Sequence, residues 1–178
     1  GGIGINWVSF KEGGNSFNKV LYRPLGRIKY MPLDNFSMSY QFSMQPTIPS
    51  LSTLSGITKN LNRYEFETGN SALHPYDNIK HKLSLSWNPN RWYISLNYNI
   101  ESAKNLFASG IYCQNGKSGY QHINFDSKTV RKIDFYTSFD IIKDMLFIDG
   151  YISYNYYKFK IEDETFSLTD YTYGGIPR

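Results

Sequence analysis

The residues best suited to chemistry in this 178-residue chain are few and scattered. Metal sites usually draw histidine, cysteine and carboxylate groups from close spacings, and a nucleophilic cysteine needs a positioned histidine. His74, His81 and His122 show no such spacing. Cys113 has only His122 nearby, and a single cysteine excludes an internal disulfide. We therefore expect no metal site, no cofactor and no catalytic residue, so the chain is predicted not to be an enzyme.

Carboxylates occur in two patterns that could hold a cation or act as an acid and a base. Residues 162–164 form an acidic run, Glu-Asp-Glu, which we expect to be a solvated loop tip because the spacing of an EF-type calcium loop is missing. Asp134, Asp140 and Asp149 lie on the polar sides of two predicted strands. There they would line a hydrated path or contact another domain, since catalysis would need a cleft and a partner that the sequence does not locate.

Aromatic residues in the segments between strands are the best candidates for contact with a ligand. Aromatics make up 17% of the chain and charged residues only 19%, below the ~25% of an ordinary soluble domain. The net charge of +4 comes from basic residues scattered singly, so we expect no nucleic-acid binding. The ligand-contact candidates are Tyr64, Phe66, Tyr112, Tyr120 and Phe125. The alternative is that these rings pack the loops together.

The elements that must position these residues are β-strands. Apolar and polar residues alternate in runs separated by Gly, Asn, Ser and Pro clusters, and no helical period of useful length appears. The predicted strands are residues 2–10, 20–31, 36–45, two arms of a hairpin at 82–101, 131–142, 146–160, and the start of another at 166–173. The fold class is therefore all-β, an antiparallel up-and-down meander of about seven or eight long strands.

The hairpin at residues 82–101 shows the alternation most clearly. Its sequence, KLSLSWNPNRWYISLNYNIE, predicts two strands about an Asn-Pro-Asn turn, with Trp87 and Trp92 facing each other. Successive side chains of a strand point to opposite faces, so Leu, Ile, Trp and Tyr share one face while Ser and Asn share the other. The sheet thus separates water from an apolar medium, which is either a protein core or a lipid bilayer.

Three observations favour lipid. The apolar faces carry no charged residue, and the opposite faces are rich in small neutral polar groups, as in a hydrated lumen. Tight turns are predicted at residues 33–34, 89–90 and 143–144, and long connections at 11–19, 46–77 and 102–129, the last with a local hairpin at 114–117. Outer-membrane barrels have short turns on the periplasmic side and long loops outside. An arc of a transmembrane β-barrel is therefore predicted, and the alternative is a soluble or free-standing small barrel that recognises glycan or protein through its loops.

Aromatic side chains on the apolar faces would form the girdles that meet the lipid interface. At the short-turn end they are Tyr30, Phe36, Trp87 and Trp92, and at the far end of their strand Tyr154 and Tyr156.

The long connection contains the sequence GNSALHP at residues 69–75, with Gly69, Asn70, Leu73 and Pro75. With its flanking strands, from about residue 25 to 157, it resembles the barrel of TonB-dependent outer-membrane receptors, especially the outer-membrane barrel family abundant in Bacteroidetes. Ser71 replaces the usual proline after Gly-Asn. The sequence also shows no plug domain, TonB box or terminal aromatic strand. We expect the Gly-Asn pair to adopt positive φ and to fold the loop back to the barrel rim.

The resemblance implies part of a larger, plugged barrel of about 22 strands in the bacterial outer membrane. It implies uptake of an unidentified nutrient such as an iron chelate, cobalamin, a glycan or a peptide. The implied partners are outer-membrane lipid and, in the full-length protein, a plug domain and a TonB-type energiser. The chain begins with Gly1 and ends with Arg178, so we expect residues 1–178 to be a single segment of a longer protein.

Overall fold

The alternating pattern forms one continuous sheet. The structure, a computed structural model, describes residues 1–12, 15–142, 146–161 and 163–177. The elements are β1 (Gly2–Glu12), β2 (Asn15–Leu33), β3 (Phe36–Thr47), α1 (Leu51–Leu54), β4 (Thr58–Asn60), β5 (Glu65–Thr68), β6 (Tyr76–Trp87), β7 (Trp92–Gln114), β8 (Lys117–Ile142), β9 (Leu146–Ile161) and β10 (Glu164–Pro177). No helix of the described residues is long and apolar enough to cross a membrane.

The long strands follow one another around the sheet as an antiparallel meander, in the order β1, β2, β3, β6, β7, β8, β9 and β10. The sheet is open, because β1 and β10 are not paired with each other. The predicted meander is therefore confirmed, as an open arc and not a closed small barrel. Two short strands, β4 and β5, were not predicted. They lie within residues 48–75, which we call the strap. β5 pairs in parallel with residues 118–121 of β8.

Strand register places the apolar and polar residues on separate faces. One row of paired residues across the apolar face runs Met38, Leu85, Leu96, Phe135 and Ile152. The adjacent row on the polar face runs Lys29, Ser39, Ser84, Asn97, Asp134 and Ser153. Large side chains on the apolar face are exposed, including Leu96 and Ile152. Because the described strands form a single sheet with no second layer over this face, the pattern is that of a lipid-facing wall and not of a sandwich core.

The turns at one end are short, as predicted, but one register differs from the prediction. Trp87 pairs with Ile94, and Trp92 lies beside Phe139 with ring centroids 4.5 Å apart. The tryptophans share the apolar face without facing each other, because the turn is centred on residues 90–91 and not on the predicted 89–90. The Trp92 amide donates to the Pro89 carbonyl at 3.0 Å across this turn. The predicted turn at residues 143–144 lies outside the described residues.

At the other end, two predicted loops are strands. β1 and β2 stay paired as far as Glu12 and Asn15, so the described residues of the predicted loop at 11–19 are strand. β7 and β8 stay paired through residues 102–129, which we call the extension, to the pair Gln114 and Lys117. The hairpin predicted at 114–117 is confirmed: Asn115 and Gly116 have φ of 53° and 72°, as a type I′ turn requires.

Candidate functional site

The strap is fastened to the outer edge of the extension. The Ser118 amide donates to the Tyr64 carbonyl at 2.8 Å, and the Tyr120 hydroxyl donates to Glu65 Oε1 at 3.0 Å. From Ser127 toward the short turns, the same edge of β8 pairs with β9. The strap therefore continues the sheet beyond the end of β9. It connects β3 to β6 in the chain and on the way pairs with the edge of β8.

The motif at residues 69–75 makes this attachment. A Cβ on Gly69 would lie 1.7 Å from the Ser55 carbonyl oxygen, so only glycine fits. Asn70 donates from its amide to the Thr53 carbonyl at 2.6 Å and from Nδ2 to the His122 carbonyl at 2.9 Å. Leu73 is fully buried and Pro75 is buried. The motif holds the strap against α1 and β8.

The expected positive φ at Gly69 and Asn70 is not found. Within the described chain, the positive-φ residues are Asn90, Asn105, Asn115 and Gly116. Glycine at position 69 is required by the close approach of another backbone segment, which a sequence pattern does not reveal.

Four of the five ligand-contact candidates meet at the tip of the extension. Phe66 pairs with Gly119, and its ring stacks edge-on against Tyr112 at 5.6 Å. Phe66 is only 7% exposed, which argues for packing over ligand contact. Tyr64 is 65% exposed and is open to a ligand. Tyr120 is the residue after Gly119, and its hydroxyl is bonded to Glu65.

The fifth candidate, Phe125, pairs with Leu106 nearer the base of the extension and lies apart from the other four. A ligand role for the exposed aromatic residues stays a prediction.

The three histidines are separate. His74 is exposed on the strap; His122 lies against Phe107 at 6.2 Å; His81 lies on the apolar face, where Nδ1 bonds the Tyr40 hydroxyl at 2.7 Å. Among the described residues, no group of three or more His, Cys, Asp or Glu is placed to hold a metal ion. Cys113 is an exposed thiol near the tip of the extension. For the acidic run, Glu162 lies outside the described residues and the two acids after it are exposed.

The polar face contains a groove of about 370 Å³ lined by Ser, Asn and Gln side chains together with three cations. Arg27 and Lys82 flank Gln41 in one row, and Lys29 lies in the next. None of the three forms an ion pair with a described residue. This side of the polar face presents uncompensated positive charge.

The other side of the polar face is acidic and internally bonded. Asp134 accepts a hydrogen bond from the Ser153 hydroxyl at 2.7 Å and pairs with Lys132 at 3.2 Å. Asp149 is 8% exposed and accepts from the Tyr136 hydroxyl at 3.0 Å. The predicted carboxylates thus lie on the polar face, and two of them organise its hydrogen bonds.

A charged cluster at the end of the polar face nearest the extension was not predicted. The Glu101 carboxylate pairs with Lys80 and Lys128, each at 3.2 Å, and accepts from Asn78 Nδ2 at 3.2 Å. The correct β6–β7 register would have revealed this cluster. The predicted register, with Trp87 opposite Trp92, is shifted by two residues and separates Lys80 from Glu101.

The predicted girdle residues lie on the apolar face. Tyr30 pairs with Met38 and Phe36 with Trp87, and these join the two tryptophans near the short turns. Tyr154 and Tyr156 lie higher on β9, and Tyr154 contacts Tyr171 at 5.2 Å between ring centroids. Their role at the lipid interface stays a prediction.

Known structures share this fold. The siderophore receptor PirA from Pseudomonas aeruginosa superposes with a TM-score of 0.64 at 13% identity, covering 92% of this chain and 36% of the receptor. The ferric enterobactin receptor PfeA from the same organism gives 0.59 at 13% identity over 97% of this chain and 30% of the receptor. The copper transporter OprC gives 0.59 at 8% identity, covering 91% and 31%. The chain thus spans about a third of these proteins.

No curated protein sequence matches the chain. The profile of the outer membrane protein beta-barrel family, in contrast, matches residues 15–175, nearly the whole length. This match agrees with the exposed apolar face and locates the protein in the bacterial outer membrane. The chain belongs to the outer membrane protein β-barrel family, and its fold is that of an arc of a receptor-type barrel.

Proposed function

We infer that the chain is part of the wall of a TonB-dependent-type transporter that takes up a nutrient across the outer membrane. The observation that carries this proposal is the open sheet: eight successive meander strands with free edges overlay a third of much larger receptors. The proposed partners of the full-length protein are outer-membrane lipid, a plug domain and a TonB-type energiser. The proposal assigns no catalysis to this segment.

The cations of the polar groove supply the structural link to transport. Arg27, Lys29 and Lys82 face the enclosed side of the wall without a carboxylate partner among the described residues. Three such charges attract an anionic group, either on the passing nutrient or on the plug.

The test is uptake by the native host. A strain lacking the full-length gene is complemented with the wild type or with an Arg27→Gln, Lys29→Gln, Lys82→Gln triple variant. Uptake is measured with isotopically labelled ferric siderophores, copper, cobalamin and oligosaccharides. We expect one class to need the wild-type gene and an energised inner membrane, and the triple variant to take it up several-fold more slowly.

Lys59→Gln is the matched control, because Lys59 is exposed on the strap, away from the groove. If the strain without the gene takes up every substrate class as well as the wild type does, the transport role is contradicted.

A further inference from the structure

A basic margin lies on the apolar face where its apolar residues end. Going up β8 from the turns, Phe135 and Ile133 are followed on the same face by Arg131 and Thr129. On β9, Ile152 and Tyr154 are followed by Tyr156 and Lys158. Arg131 pairs with Tyr156, and Lys158 pairs with Thr129, so the two cations are diagonal neighbours across the strands. Such neighbours are roughly 7–8 Å apart and can bind one ligand together.

These two cations are exposed and uncompensated. Arg131 and Lys158 form no ion pair with a described residue. Lys160, next along β9 on this face, is 3.7 Å from Asp126, and Asp77 lies on the same face of β6. Lys104 also lies on this face, two rows above Arg131 and beside Ser127. Arg131 and Lys158 are therefore the cations of this face nearest to the apolar residues.

An apolar cleft lies beside the cations. It measures about 350 Å³ and is lined by Tyr40, His81, Leu83, Tyr98 and Ile100. Ile100 is the cross-strand partner of Arg131, so Arg131 is next to a residue that lines the cleft. The His81 ring and the Tyr40 hydroxyl bond each other at 2.7 Å, which satisfies one polar group of each at the edge of the lipid-facing surface.

The orientation of the wall fixes which leaflet this site meets. The strap and the extension lie beyond the basic margin, and the short turns lie at the opposite end. In outer-membrane barrels the longer elements are extracellular. The margin is therefore at the level of the outer-leaflet headgroups.

We propose that Arg131 and Lys158 bind the phosphate of an outer-leaflet glycolipid whose acyl chain lies in the cleft between Tyr40 and Ile100. A guanidinium gives phosphate two parallel hydrogen bonds, and an ammonium adds a point charge. The apolar cleft favours a lipid over free phosphate, since only the lipid fills both parts of the site. This site is independent of the transport role and of the cargo.

The test uses the purified full-length protein in phosphatidylcholine nanodiscs containing diphosphoryl lipid A or its dephosphorylated form. Native mass spectrometry measures the glycolipid that remains bound. We expect about a fivefold loss of bound diphosphoryl lipid for each charge removed in Arg131→Gln and Lys158→Gln. Arg131→Lys should retain more lipid than Arg131→Gln. The dephosphorylated form should not distinguish the variants.

Lys132→Gln is the matched control, because Lys132 is the next residue of β8 and faces the polar side. Heat-dependent electrophoretic mobility confirms that each variant is folded. Equal retention by the wild type and a double variant that carries both Arg131→Gln and Lys158→Gln, or an equal loss in Lys132→Gln, overturns the proposal. Displacement of the lipid by inorganic phosphate alone would assign the site to free phosphate and would also overturn it.

Discussion

The lipid-facing wall and the extension are built from the same two strands but are stabilised in different ways. Below Glu101, β7 and β8 separate apolar from polar residues by face, and the outer residues from Trp92 to Ile100 span eight positions. That distance is roughly 26 Å along a strand, comparable with an apolar band ~25 Å tall. Above Glu101 the strands persist, but Ser102 and Lys104 follow Ile100 on the same face.

This difference shows which medium each part of the hairpin meets. In the wall, the bilayer decides which side chain each position tolerates, so the face of a residue matters more than its neighbours. In the extension, water solvates both faces, and the strap attached to it depends on particular contacts such as those of Gly69, Asn70 and Phe66. In the wall, the effect of a substitution on stability should therefore depend on the face that the side chain occupies. In the extension and the strap, it should depend on the contacts that the side chain makes.

The largest effect is expected from a charge on the lipid face. Leu96 lies in the middle row of the apolar face, whereas Ser95, one residue earlier, lies on the polar face opposite Ser86. Leu96→Lys should lower the free energy of unfolding by ~2–4 kcal/mol, because the ammonium group must be desolvated near the bilayer midplane. Urea titration of the full-length protein in phosphatidylcholine vesicles measures this.

Ser95→Lys is the matched control and should change stability by well under half as much. If both lysines lower it equally, the face of a residue does not decide its effect and the assignment of the lipid side is wrong.

The next effect tests the contact rule at the strap. Gly69→Ala places a methyl group 1.7 Å from the Ser55 carbonyl oxygen, so the backbone of one segment must move. We expect a loss of at least ~1–3 kcal/mol in the attachment of the strap, typical of overpacking, and much faster cleavage of the strap by a protease. The wall should keep its heat-dependent mobility.

Gly56→Ala serves as the control within the same strap, because nothing lies within 4 Å of its added methyl group. Equal protease resistance in the two variants would show that the strap does not depend on the close approach at Gly69.

The wall could be predicted from the sequence and most of the extension could not. In the wall, alternation alone places Leu83, Leu85 and Ile94 on the apolar face, because lipid imposes the pattern on every strand. In the extension, both faces are hydrated, so residues 102–129 lose their alternation and were predicted to be a loop although they are paired strands.

Two features of the candidate site depend on strand register and tertiary contact, which the sequence pattern does not specify. The turn is centred on residues 90–91 instead of 89–90, which separates Trp87 from Trp92 and brings Lys80 opposite Glu101. The steric need for glycine at position 69 comes from Ser55, which reaches it through tertiary folding. Neither feature can be recognised from the local sequence. The family motif at residues 69–75 identified the correct segment but not the reason why glycine is needed there.

The smallest effect tests one side-chain contact of the strap by its response to pH. Tyr120 donates to Glu65, and this hydrogen bond together with the negative charge of Glu65 raises the pKa of the Tyr120 hydroxyl above its usual value. A raised pKa in the folded state means that the contact stabilises the attached strap fully below the ordinary tyrosine pKa of about 10. The stabilisation is lost as the pH rises through the folded-state pKa.

We expect the ultraviolet titration of the wild type minus that of Tyr120→Phe to show one phenol that ionises at higher pH than free tyrosine. Glu65→Gln should return that ionisation toward the ordinary range, because it removes the charge while leaving an acceptor oxygen. Tyr112→Phe controls for the loss of any tyrosine from the extension. If the difference titration gives a pKa at or below the ordinary tyrosine value, the Tyr120–Glu65 contact does not stabilise the strap. The strap would then be held by Gly69, Asn70 and the backbone pairing of β5.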